Sequence, residues 1–297
     1  MTLEAPRFAA TLAAGLAITS VWACSSSSSP SGTTADGGSS SSGGSSSGGG
    51  GSSSGGKTYT GSVALGQSKL SGTETTTALA AFVKTPPPNT STTCTQTTSG
   101  PCTLNRCELS DGGLPPYFSA GTITINGGTL TSPITLTYAS STGYSISEGT
   151  TPIYTPGDMF TVSAVGADVA AFSGASAATP HDIVVTSPSG GTGTNLMYSI
   201  DESKDLVITW TGGSAGSQVQ VGLSNLDDKS LALNVGCMFD AAAGTGTIPT
   251  ALLTQLGSFT SGFLEMFPIS TASLASADAT VTVTVQGTPT AGIATSP

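Results

Sequence analysis

Alternation with a period of two is the feature that most limits what this chain can fold into. Ala279-Thr-Val-Thr-Val-Thr-Val285 puts its valines on one side of an extended backbone and its threonines on the other. The same rhythm runs through 121–126, 133–138, 205–210 and 218–222. A strand with one apolar and one hydroxylated face belongs to an antiparallel sheet that is buried on one side only. Further strands are expected at 59–65, 77–83, 159–165, 182–186, 231–239 and 262–267, and Asn126-Gly127 marks a hairpin because both residues tolerate positive φ. Charged residues make up only 8% of the chain, against about 25% in ordinary soluble domains, so surface helices are poorly supplied with their usual residues. One short helix is expected at 249–256, opened by Pro249 in its first position and closed by Gly257.

These patterns predict an all-β fold, an antiparallel β-sandwich of Ig-like type. Ser173-Gly-Ala-Ser-Ala-Ala-Thr-Pro180 reads as a break that divides the body into a first sandwich at 57–180 and a second at 181–297, packed together. One large two-sheet sandwich over the whole region is the second expectation. Trp210 ends a strictly alternating run and is expected in the core near Cys237.

The N-terminal region reads differently. Arg7 precedes an apolar run of about 12 residues, too short for the roughly 20 a membrane-spanning helix needs, so 1–23 is expected to be a signal peptide. Val21-Trp-Ala-Cys24 resembles the lipobox of bacterial lipoproteins, and that resemblance implies that Cys24 is the lipidated N-terminus of the mature chain. Trp22 and Glu4 depart from the usual pattern. Residues 25–56 are almost wholly Ser and Gly, and such a segment behaves as a flexible coil with an end-to-end reach of about 30 Å. Residues 24–56 are thus expected to tether a folded body to a membrane. Ser25 resembles the outer-membrane sorting pattern, so the expected location is the outer membrane, lipid-anchored, with plain secretion as the alternative.

Five cysteines are present: Cys24, Cys94, Cys102, Cys107 and Cys237. With Cys24 consumed by lipid, the other four are expected to form two disulfides, and all three connectivities remain possible. Each ties Cys237 back to the 94–107 cluster, so the two halves of the body must touch. Cys94 with Cys102 around the turn 97–101, leaving Cys107 for Cys237, is the preferred pairing. Cys-x7-Cys-x4-Cys lacks the close pairs and His partners of a structural zinc site.

Little else in the chain carries chemistry. A net charge of −10 opposes nucleic-acid binding, and a single His removes most triad and imidazole-metal arrangements. Gly212-Gly-Ser-Ala-Gly216 matches Gly-x-Ser-x-Gly but joins two strands, so it is expected to be a hairpin loop rather than a nucleophile elbow. His181 sits at a strand entry. Glu108, Glu148, Glu202 and Glu265 show no spacing that forces a glycosidase pair. Asp201, Glu202 and Asp205, and separately Asn225, Asp227 and Asp228, are acidic turns without EF-hand spacing, expected to be solvated rather than calcium-binding. No catalytic residue, metal site or cofactor is expected.

Over 57–287 the chain also resembles uncharacterised tethered lipoproteins of Gram-negative bacteria. The residues that carry the likeness are Gly100-Pro-Cys102 with Cys107, Asp205-Leu-Val-Ile-Thr-Trp-Thr-Gly-Gly213, Val235-Gly-Cys-Met-Phe239 and Gly246-Thr-Ile-Pro249. The resemblance implies an envelope location and no known activity. The expected function is a non-catalytic, lipid-anchored envelope protein that contacts the membrane through its anchor and an envelope protein or polysaccharide through its body. The alternative is a carbohydrate-binding or carbohydrate-active module that uses Tyr117, Tyr144, Tyr154 or Tyr198 as a stacking platform.

Overall fold

The structure is a computed structural model that describes residues 58–70, 73–85, 94–108, 116–148, 152–190, 196–227 and 231–296. Residues 1–57, with the expected signal peptide, Cys24 and the Ser/Gly segment, lie outside them. Among the described residues eighteen strands form three sheets. The largest runs in the order β3 (Cys94–Ser99), β4 (Cys102–Glu108), β14 (Leu231–Asp240), β13 (Gln218–Asn225), β16 (Gly262–Ala275), β17 (Ala279–Gln286), β1 (Tyr59–Leu70), β2 (Thr73–Lys84) and β7 (Tyr144–Glu148). β18 (Thr290–Thr295) pairs with the start of β16, and β11 (Leu196–Ser199) pairs with β18. A second sheet has the order β6 (Ile134–Leu136), β5 (Ile123–Gly127), β8 (Met159–Ala164), β9 (Phe172–Ala178), and a third the order β10 (Ile183–Ser187), β12 (Leu206–Gly212), β15 (Thr245–Ile248). Pairing is antiparallel except for β1 with β17 and β11 with β18.

The all-β expectation holds, and the alternating segments are strands. Val281, Val283 and Val285 of β17 are buried while Thr280 faces out, as period two requires. They share a core with Val63 and Leu65 of β1, Phe82 of β2, and Ile123, Ile125, Phe160 and Val162 of the four-stranded sheet. A second core joins Val219, Val221 and Leu223 of β13 to Ile208 and Trp210 of β12 and to Leu252, Leu253 and Leu256 of the helix α1 (Thr250–Leu256). Trp210 lies where expected: it is buried, its Nε1–H donates to the Ala241 carbonyl at 2.8 Å, and its ring centroid is 6.2 Å from that of Phe239.

Both cores lie on one face of the large sheet. Along β16, Leu264 and Met266 belong to the second core while Ala272 and Leu274 pack against the first, and all four are even-numbered. One long strand therefore runs beneath both small sheets.

Three expectations are corrected. The body does not divide at residue 180 into two sandwiches each built from its own half of the chain, because β1 pairs with β17 and β4 pairs with β14, joining early strands to late ones in one sheet. The presumed break is strand β9, which pairs with β8. Its Ala175 and Ala177 are buried against the large sheet, and the small side chains that made the segment look like a linker let two sheets approach closely. Finally, Pro249 is the residue capping α1 and not its first helical residue. Its missing N–H costs nothing there, and the Thr250 N–H and hydroxyl donate to the Asp205 carboxylate at 2.7 and 2.6 Å.

A buried tyrosine pins the first core to its entry loop. The Ala120 N–H donates to the Tyr144 hydroxyl, which in turn donates to the Gly121 carbonyl, both at 2.7 Å. Tyr144→Phe keeps the ring and strands both backbone groups, so urea unfolding should show a loss of about 2 kcal/mol. An unchanged midpoint would mean that water replaces the hydroxyl.

Candidate functional site

All four body cysteines are paired, although not as preferred. The bonds are Cys94–Cys107 and Cys102–Cys237, with Cα atoms 4.1 and 4.0 Å apart. The reason is register. β3 and β4 form a hairpin turned at Gly100 (φ 58°), which sets Cys94 opposite Cys107 and Ser99 opposite Cys102. Cys102 then faces Cys237 of β14. Cys107 is five positions after Cys102, an odd step, so the two bonds lie on opposite faces of the sheet: Cys102 is fully buried in the second core, while Cys94 is exposed.

The face carrying Cys94–Cys107 is the one the small sheets do not cover. Three rows of side chains cross it at right angles to the strands. The first begins with Met197, Ile293 and Phe263 and continues with Ser224, Asn234, Asn105 and Gln96. Its amides form a ladder: Gln96 Nε2 donates to Asn105 Oδ1 at 2.9 Å, and Asn105 Nδ2 donates to Asn234 Oδ1 at 3.1 Å. The second row is Ala291, Glu265, Gly222, Gly236, Thr103 and Thr98. The third holds Phe267, Gln220 and Met238. With two adjacent glycines, the middle row is the floor of a trough between larger neighbours.

Glu265 closes one end of that trough. It is 5% exposed, accepts no hydrogen bond from any described residue, and burial pushes its carboxyl up to about 7. Its side chain lies flat over Gly222, where a Cβ would sit 3.0 Å from Oε1 and 3.1 Å from Cγ. A side chain at 222 would push it aside by a few tenths of an ångström. The next floor position is roomier: a Cβ on Gly236 meets nothing within 4 Å. Gly222, Gly236, Thr103, Asn234 and Met238 all keep partial exposure.

The other residues singled out from sequence serve the fold. Tyr144, Tyr154 and Tyr198 are buried and Tyr117 is half-buried, so the stacking platform does not exist. Their rings fill cores, and the Tyr154 hydroxyl donates to the Gln286 carbonyl at 2.7 Å. The 212–216 loop carries β12 of one sheet to β13 of another and is not a hairpin, because these strands do not pair. Its Ser214 hydroxyl partners Ser217 at 3.1 Å, and His181, exposed, makes no hydrogen bond to it.

The acidic turns staple loops. Hydrogen bonds from Lys204 and Ser203 hold the Asp201 carboxyl down to about 2, Asp205 caps α1, and Glu202 accepts from the Ser258 hydroxyl. The Asp227 carboxylate accepts from the N–H groups of Thr260 and Ser261 at 2.6 and 2.8 Å, and Asn225 Nδ2 donates to the Leu256 carbonyl at 3.1 Å. Asp228 lies outside the described residues. Among the described residues no group of three His, Cys, Asp or Glu side chains is placed to hold a metal ion. Glu108 is on β4, Glu265 on β16 and Glu202 in the turn before β12, and they share no row. Glu148 ends β7.

A cleft of about 180 Å³ lies on the other face between β3, β4 and α1, lined by Thr95, Thr97, Leu104, Arg106 and Gln255; ligand pockets usually start near 300 Å³. The trough, with a buried carboxylate that no described residue partners, is the better candidate. In sequence, Glu265 appeared only as one of several glutamates. The usable signals were an acid inside the apolar run Phe263-Leu-Glu-Met-Phe267 and single glycines inside two strands, which mark close approach. No protein-family model matches this chain, and no curated protein is similar to it in sequence.

Proposed function

We propose that this chain is a lipid-anchored envelope protein whose β body is a non-catalytic binding surface. Acyl chains on Cys24 hold it at the outer membrane, and residues 25–56 stand the body off the lipid by about 30 Å. The observation that carries the reading is the closed pairing of the other four cysteines, which leaves Cys24 as the one cysteine of the five without a partner in the chain. Two disulfides fit an oxidising compartment. A chain that meets that environment with one thiol to spare, directly before a Ser/Gly segment, has a reason to consume it by acylation.

Intact mass of the mature protein tests this. A mass that begins at residue 24, carries acyl chains and lacks four thiol hydrogens is expected, and Cys24→Ser should move the protein from the membrane fraction to the soluble fraction. An unacylated protein in the culture medium would overturn the anchor.

A further inference from the structure

We propose that the trough on the face of the large sheet that carries Cys94–Cys107 is a binding subsite for a sugar chain free of acidic groups, with Glu265 and the amides of Asn234 and Gln220 as its polar contacts. This rests on the reading of the body as a binding surface and names what that surface takes.

Glu265 carries the argument. A carboxylate left with little water and no described donor is costly, and a fold that merely needed to fill space beside Phe263 and Phe267 would be better served by an apolar side chain. Glycine at 222 leaves room for this side chain to lie over the sheet. The side chain is thus held in place, 5% exposed and without a donor among the described residues, which is how a group waits for donors brought by a ligand.

The surroundings define the donors. Asn234 accepts one ladder bond and has its own N–H groups to give, and Gln220 offers both a donor and an acceptor from the opposite wall. Mixed amide and carboxylate groups match neighbouring hydroxyls, which both donate and accept. At the Glu265 end the row beside it turns apolar, with Phe263 half-buried and Ile293 and Met197 52% and 64% exposed, a surface for the C–H face of a pyranose ring. From Glu265 on β16 to Thr98 on β3 the floor crosses four strand spacings, about 19 Å at roughly 4.8 Å each, long enough for several rings.

Charge narrows the class. None of the three rows contains Lys, Arg or His, and the chain carries −10, so phosphorylated, sulfated and uronic-acid chains are repelled. Neutral and amine-bearing sugars remain.

The test uses the full chain purified in detergent. β-1,4-linked hexamers of glucose, N-acetylglucosamine and glucosamine are titrated by calorimetry, with a hexamer of galacturonic acid as the acidic comparison. Measurable binding of at least one of the first three is expected, with none to the acidic hexamer. At pH 8 Glu265→Gln replaces a charged acceptor by a neutral one, and Gly236→Val fills open space with a strand-favouring side chain. Each should weaken binding by at least about tenfold while the thermal midpoint is kept or raised.

Failure of the parent protein to bind any of the three, equal binding of the acidic hexamer, or undiminished binding in either variant would overturn the proposal. Mass analysis of the same preparation separates the two readings: an acylated chain that binds no sugar sinks the subsite and leaves the anchor standing.

Discussion

Replacing Cys102 and Cys237 together by alanine is expected to lower the free energy of unfolding by up to about 5 kcal/mol. The bond closes a loop of 135 residues, and the chain-entropy relation gives about that figure as the restriction lifted from the unfolded state. Total stability of a domain is about 5–15 kcal/mol, so the double variant sits near the limit of folding. The location adds to the effect. Both cysteines are buried in the second core with Leu104, Val235 and Trp210, so alanine also leaves unfilled volume.

Guanidinium unfolding of parent and double variant measures the loss. The Cys94–Cys107 bond is the internal comparison. It spans only 13 residues of a hairpin already held by its ladder, so its removal should cost less than the roughly 3 kcal/mol that loop length alone assigns. A smaller loss for the long bond than for the short one would show that the unfolded chain is compact enough to keep β4 near β14 without it.

Glu265→Gln should stabilise the protein at pH 8 by about 3 kcal/mol and leave it unchanged near pH 4. The unfolded carboxyl titrates near 4.5 and the folded one at about 7. Between those values the unfolded chain has released a proton that the folded chain retains, so stability falls as pH rises through the window and is level above it. The full shift corresponds to about 3 kcal/mol. Below 4.5 both states are protonated and the contribution is intact.

Urea midpoints from pH 4 to 9 should therefore decline for the parent between about pH 4.5 and 7 by more than for the variant. Parallel curves would mean that Glu265 reaches water and that the trough is open at its Glu265 end. A saturating sugar ligand, by donating to the carboxylate, should flatten the parent's decline.

Period two is a local property, and for that reason most strands were readable. The valines of β17 and the isoleucines of β5 declare their buried side within a few residues, whatever they later pack against. Trp210 was readable as core for the same reason. β9 was not, because Ser173-Gly-Ala-Ser-Ala-Ala178 has the composition of a linker until another sheet is laid on Ala175 and Ala177. The disulfide pairing was not readable either: four cysteines have three pairings, and only the hairpin register around Gly100 selects one.

The candidate site lies almost wholly beyond the reach of sequence. Its residues come from seven strands that span positions 96 to 293, and nothing about Gly222, Asn105 or Glu265 taken alone announces the others. The chain by itself determined that it is built of strands, which side of most of them is buried, and that its cysteines cross-link. The tertiary structure alone decided that β1 lies beside β17 and β4 beside β14. The physical reason is that backbone N–H and C=O groups are the same in every strand, so partner choice rests on how whole faces pack and carries no residue-level mark.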